Sequence, residues 1–162
     1  MASHCAISGR EVRSIARELL RRRSPTLVEG GRKWRLAEVA DEAGLRAWKR
    51  DHGTIGVLAR GTESMGLCLR APGIRRSRNG RARCPVGVGI TEDPASGAAN
   101  GLIAAYLANA EPTGPFARVY VVSQGREIGH DAELIIRIES GDIWVGGRTH
   151  TVVTGNLDWN TG

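Results

Sequence analysis

Aromatic residues are scarce in this chain, with four Trp, two Tyr and one Phe among 162 residues. A core built from so few rings must rest on Ala, Val, Leu and Ile. Cysteine is scarcer still. Cys5, Cys68 and Cys84 are odd in number, far apart and without C-x-x-C spacing, so neither a disulfide framework nor a zinc site is indicated. No apolar run approaches the roughly 20 residues of a membrane span, and the first thirty residues lack the apolar stretch of a signal peptide. A cytoplasmic chain without a membrane partner is expected.

Acid is short in the first half. Residues 1–83 hold 19 Lys+Arg against 8 Asp+Glu, a net +11, whereas residues 84–162 hold 4 against 9, a net −5. The basic half could face nucleic acid or an acidic partner. Its arginines, however, come singly or in the short clusters Arg21–Arg23 and Arg75–Arg83, without the interleaved aromatics that stack bases. Solvated basic surface is the preferred reading, and nucleic acid is not expected as a partner. At this length the chain is one domain with a feasible core, burying roughly 68–70% of its unfolded surface.

What is present is organised around Thr91–Ala110, TEDPASGAANGLIAAYLANA. Apolar residues fall around the whole circumference after Ser96, which predicts a helix buried on every side. Glu92, Asp93, Pro94, Ser96 and Gly97 punctuate its start, and Glu111, Pro112, Gly114 and Pro115 its end. The first amides of a helix lack intrahelical acceptors and carry the positive end of its dipole. Ser96, Gly97 and Ala98 are small enough for an anion to reach them. Glu92 and Asp93 would repel that anion unless one of them caps the helix or holds a proton. Plain capping by Asp93 or Ser96, with no ligand, is the competing reading.

Along the rest of the chain, Ser8–Glu11 has capping-box spacing and opens a basic helix to about Arg22. Trp34, Leu36 and Val39 read as a strand, Asp41 opens a helix carrying Leu45 and Trp48, and Thr54–Leu58 reads as a second strand. Met65, Leu67 and Leu69 form a third, Asn79-Gly80 signals a hairpin turn, and a weaker strand runs from Pro85 to Ile90. After the central helix, Arg118–Ser123, Ala132–Ile138, Asp142–Val145 and His150–Thr154 alternate with period two, with Gly146-Gly147 as one of the turns. The expected fold class is α+β, antiparallel strands wrapping a buried helix. His130 and His150 read as structural or solvated histidines rather than a metal or acid–base pair.

The stretch GVGITEDPASGAANGLIAAYL, from Gly87 to Leu107, resembles the C-terminal half of the PhzF-like (phenazine biosynthesis) isomerases of the diaminopimelate epimerase superfamily, in which an EDP-x-[TS]-G-[SA]-A run enters the central helix. Gln124-Gly125 resembles that family's QG turn, and Val145–Leu157, VGGRTHTVVTGNL, its closing strand pair. A looser likeness runs back through Gly30–Trp48. This implies a domain over residues 27–157, preceded by a basic helix and linker over 1–26 and followed by a tail at 158–162. The fold it implies is an antiparallel barrel-like sheet around a central helix, one diaminopimelate epimerase-like half.

The resemblance further implies cofactor-free and metal-free proton transfer on a small carboxylate substrate. Asp93 matches the aspartate that orients or relays protons, Gly97 and Ala98 the positions whose amides bind the anionic group, and Ser96 the [TS] position. Such chemistry needs a base within hydrogen-bond reach and donors for the charge that develops. The family's usual serine is Ala98 here, His130 stands where arginine is common, and Arg83-Cys84-Pro85 departs from the family's approach to the motif. The family's catalytic glutamate belongs to its other domain, so the base is expected from a second copy of the chain or a separately encoded N-terminal domain. A catalytically inactive remnant, or a small-anion binding module of the same fold, is the alternative.

Overall fold

The computed structural model describes residues 25–71, 79–83 and 90–156, with the backbone alone for 79–83. Among the described residues, seven strands form one mixed sheet in sequence order: β1 (Thr26–Gly30), β2 (Arg32–Glu38), β3 (Leu67–Ala71), β4 (Asn79–Arg83), β5 (Val119–Gln124), β6 (Ala132–Glu139) and β7 (Asp142–Gly147). The pairs β2–β3 and β4–β5 are parallel and the others antiparallel. The expected all-antiparallel arrangement is therefore corrected. Each parallel pair brackets a helical crossover, as parallel neighbours require. Among the described residues the sheet is open, with β1 and β7 as its two edges, and does not close into the expected barrel.

Helices α1 (Glu42–Ala47) and α2 (His52–Gly61) lie between β2 and β3, and α3 (Gly97–Ala110) between β4 and β5. The predicted strand over Thr54–Leu58 is in fact α2. Asp51 caps it by accepting from the Thr54 amide at 3.0 Å, and Ile55, Leu58 and Ala59 recur at helical spacing and are buried. Asp41 caps α1 through the Gly44 amide as expected, although Trp48 lies at the extended C-cap rather than in the helix.

The sheet has a core on each face. On one side, Trp34 and Leu36 of β2 join Tyr120, Val122, Leu134 and Ile136 against Ala99, Leu102, Ile103 and Leu107 of α3. On the other, Ala37, Val39, Leu67 and Leu69 meet Leu45, Trp48, Ile55 and Leu58. Strand β3 is buried on both faces, Arg70 included, rather than only at the alternating positions Leu67 and Leu69.

Further expectations change. Asn79-Gly80 forms the start of β4, paired with Val121 and Val122, rather than a turn. Gly146-Gly147 ends β7, opposite Ile135 and Leu134. Residues 148–156 form no strand and are exposed, so no ladder forms at His150–Thr154. Helix α3 is not buried on every side: Gly97, Ala98, Ala105, Asn109 and Ala110 are exposed. Alanine adds to an apolar count while leaving little surface that must be hidden, so its spread around the helix overstates burial. Cys68 is disulfide-bonded, against the expectation. The predicted helix before Arg22 and the strand over Pro85–Ile90 also fall outside them, apart from Ile90 itself. Among the described residues, no helix is long and apolar enough to cross a membrane.

Candidate functional site

The turn Glu92–Ser96 delivers the chain into α3, and its hydrogen bonds settle how the helix is capped. Ser96 is extended and buried, and its Oγ accepts from the Ala99 amide at 3.3 Å. Asp93 does not cap the helix. Its Oδ1 accepts from the Ala95 amide at 3.1 Å, closing the turn one step earlier. Gly97 and Ala98 are exposed, their amides have no acceptor among the described residues, and a Cβ placed on Gly97 would meet nothing within 4 Å. No acidic side chain lies in the first turn of α3.

The repulsion expected from Glu92 is cancelled by a residue that sequence reading missed. Glu92 has its side chain fully buried and forms an ion pair with Arg50, from the segment between α1 and α2. Four residues earlier, Arg46 Nη1 donates to Glu127 Oε1 at 2.6 Å, while its Nε donates to Glu42 at 2.8 Å. Burial works against the Arg46 charge, and the two glutamates outweigh it, holding the guanidinium above its ordinary value. The two arginines thus anchor both loops of the site, Arg50 the turn into α3 and Arg46 the short 3-10 turn Arg126–Ile128 that follows β5.

Those two loops also touch directly. Gly125 has φ +79°, and a Cβ on it would lie 2.5 Å from the Pro94 carbonyl oxygen. Gln124, 1% exposed, donates from Nε2 to the Asp93 carbonyl at 2.6 Å and accepts from Asn100 Nδ2 at 2.7 Å. Asn100 Nδ2 also donates to the Ser96 carbonyl at 2.8 Å. In the sequence alone, Gln124-Gly125 carries only a family likeness and Asn100 is one polar residue in an otherwise apolar helix. An amide inside the first two turns of that helix was the available signal. The spacing of Arg46 and Arg50 around Trp48 was another.

The four predicted site residues therefore lie together at one end of α3: Asp93 half-buried, Ser96 buried, Gly97 and Ala98 exposed. His130 is exposed and follows the same 3-10 turn, its amide donating to the Gly125 carbonyl at 2.9 Å. His150 stands in the exposed segment after β7. Among the described residues, no cluster of His, Cys, Asp and Glu is set to hold a metal. A separate cavity between β2, β3 and α3, lined by Leu36, Glu38, Arg70, Ile103 and Tyr106 among others, includes no residue of the turn into α3 or of its first turn. Chemically, the α3 end offers two unbonded amide donors, a hydroxyl and one carboxylate, with the neighbouring carboxylate neutralised.

The family model of phenazine biosynthesis-like proteins, PhzC-PhzF, matches residues 1–156. Solved structures resemble the chain in fold. A PhzF-family phenazine biosynthesis protein from Enterococcus faecalis aligns with a TM-score of 0.61 at 17% identity, covering 85% of this chain and 46% of that one. A Pseudomonas aeruginosa protein described as a predicted epimerase gives 0.60 at 20% identity, over 91% and 54%. A PhzF-family protein from Bacillus anthracis gives 0.53 at 17%, over 71% and 41%. The chain thus spans about half the length of these structures. No curated protein matches it. The family match takes in residues 1–26 as well, which the resemblance leaves outside its domain over 27–157. The chain belongs to the phenazine biosynthesis-like PhzC-PhzF family.

Proposed function

We propose that the chain is an isomerase or epimerase of the PhzF type, moving a proton on a carbon next to a carboxylate, without a cofactor. The observation that carries this reading is the α3 end itself. Gly97 and Ala98 present free amides where Glu92 has been neutralised by Arg50, beside a half-buried Asp93. A base removes the proton from the carbon and the electron pair moves onto the carboxylate. Donors at that carboxylate then stabilise the charge as it forms. In this scheme the Gly97 and Ala98 amides and the Ser96 hydroxyl hold the carboxylate, and Asp93 orients or relays the proton. The base comes from a second copy of the chain or from a separate N-terminal domain.

The contacts of α3 with both ends of the sheet, β1 and β2 on one side and β6 and β7 on the other, support reading the domain as one diaminopimelate epimerase-like half. The second reading is an anion-binding module or remnant of the same fold that does not turn over, which the unbonded Gly97 and Ala98 amides would serve equally. Deuterium incorporation at the substrate carbon separates the two. Small cyclic carboxylates are incubated in D2O with the purified chain over a range of concentrations and followed by proton NMR. Exchange that rises with the square of chain concentration supports catalysis by paired copies. Absence of exchange, alone and with its genomic neighbours' products, leaves only the binding reading.

A further inference from the structure

We infer that Asn100 and Gln124 are positioning residues, a buried amide relay that fixes the turn carrying Asp93 and sets the direction of the Gly97 and Ala98 amides. The relay is continuous. Gln124 at the end of β5 donates to the Asp93 carbonyl at 2.6 Å, Asn100 donates to Gln124 Oε1 at 2.7 Å, and the same Asn100 nitrogen donates to the Ser96 carbonyl at 2.8 Å. Two of the four backbone carbonyls from Asp93 to Ser96, the first and the last, are thereby tied to one strand end. Both side chains are 1% exposed.

Stability alone gives a poor account of this pair. Asn100 Oδ1 is buried and finds no partner among the described residues, so half of the amide's capacity is unmet at a cost. Asparagine is also a weaker helix former than leucine or alanine. An apolar residue at position 100 would pack the surrounding core of Ala99, Ile103 and Ala104 without that penalty. What the amide does, and an alkyl group cannot, is hold the Ser96 carbonyl and Gln124 at once. Gln124 in turn reaches the turn through Gly125, whose missing Cβ lets the strand end approach Pro94. The importance of the relay for binding rests on the proposed carboxylate site, whereas its effect on the turn does not.

The test uses Gln124→Met, Asn100→Leu and the double variant, each close in shape to the original. Amide hydrogen exchange is read at Ala95, which donates to Asp93, and at Ala99, which donates to Ser96, against the β6 amides as a measure of global opening. Benzoate is titrated as a carboxylate probe and followed at the Gly97 and Ala98 amides. The expected result is at least tenfold faster exchange at Ala95 and Ala99 with β6 unchanged in the double variant, together with a roughly tenfold weaker response to benzoate. Exchange that rises equally at all sites, or at none, overturns the inference. If the parent protein itself does not respond to benzoate while Ala95 and Ala99 still loosen selectively, the relay stands and the carboxylate reading falls.

Discussion

Arg50 and Glu92 form an ion pair in which the carboxylate is wholly buried and the guanidinium only partly so. The pair joins the loop between α1 and α2 to the turn into α3, two segments 42 residues apart. Removing one member of a buried pair strands the other charge, at a cost of roughly 3–5 kcal/mol. Arg50 keeps some exposure and solvent softens that loss. Arg50→Met is expected to destabilise the chain by about 2–3 kcal/mol, measured by urea unfolding, and Arg50→Met with Glu92→Gln to regain most of it. A double variant no more stable than the single would show that the pair does not act as a unit.

Gly125 and Gly129 both have positive φ, +79° and +83°, but they differ in surroundings. At Gly129 nothing lies within 4 Å of an added Cβ, so Gly129→Ala carries only the conformational cost, about 1–2 kcal/mol. At Gly125 the added carbon meets the Pro94 backbone at 2.5 Å, and either β5 or the turn into α3 must move. Gly125→Ala is therefore expected to cost about 2 kcal/mol more than Gly129→Ala and to shift the Asp93–Ala98 amide resonances. Equal costs at the two glycines would contradict the close approach.

The helix at the centre of the site was legible because its signals are local. Acid, proline and a small cap precede an apolar run, and the end is crowded with proline and glycine. Strands β5 and β6 were equally plain, since one face is buried and the other wet. What failed was pattern over short windows. Thr54–Leu58 reads as β because Thr, Ile and Val favour strands, and only the Asp51 cap and the return of apolar residues at Leu58 and Ala59 betray a helix. Parallel pairing between β2 and β3, or β4 and β5, has no local signature at all. The arginines and amides that brace the site act across 24 to 81 residues of sequence, so local spacing can flag such side chains but cannot name their partners.

Tyr120 packs edge-on against Phe116, ring centroids 5.1 Å apart, with its hydroxyl buried and without a partner among the described residues. Burial raises its pKa well above the ordinary phenol value, and the nearby Arg70 only partly opposes this. A raised value in the folded state means the protonated form is favoured on folding. The stabilisation is fully present below the unfolded value near 10 and is lost as pH rises beyond it, by about 1.4 kcal/mol per unit. Tyr120→Phe is expected to flatten this alkaline limb and to leave neutral stability unchanged or raised by about 1 kcal/mol. An alkaline limb identical in the two proteins would place the titration elsewhere.

Ala98 stands where the resembled motif usually carries serine, and it is exposed in the first turn of α3 beside an open Gly97. If the carboxylate sits on these two amides, a hydroxyl at position 98 adds a further donor beside them and the Ser96 hydroxyl, without displacing core. Ser96 offers no substitute for that donor's position, because its Oγ is already turned to the Ala99 amide. An exposed hydrogen bond to a charged group is worth about 1 kcal/mol here, the low end for such bonds. Ala98→Ser should therefore bind benzoate about fivefold tighter, by titration of the Gly97 amide resonance, with an unfolding midpoint close to that of the parent. Binding unchanged within twofold would mean that the anion does not lie against the first turn of α3, and the assignment of Gly97 and Ala98 would go with it.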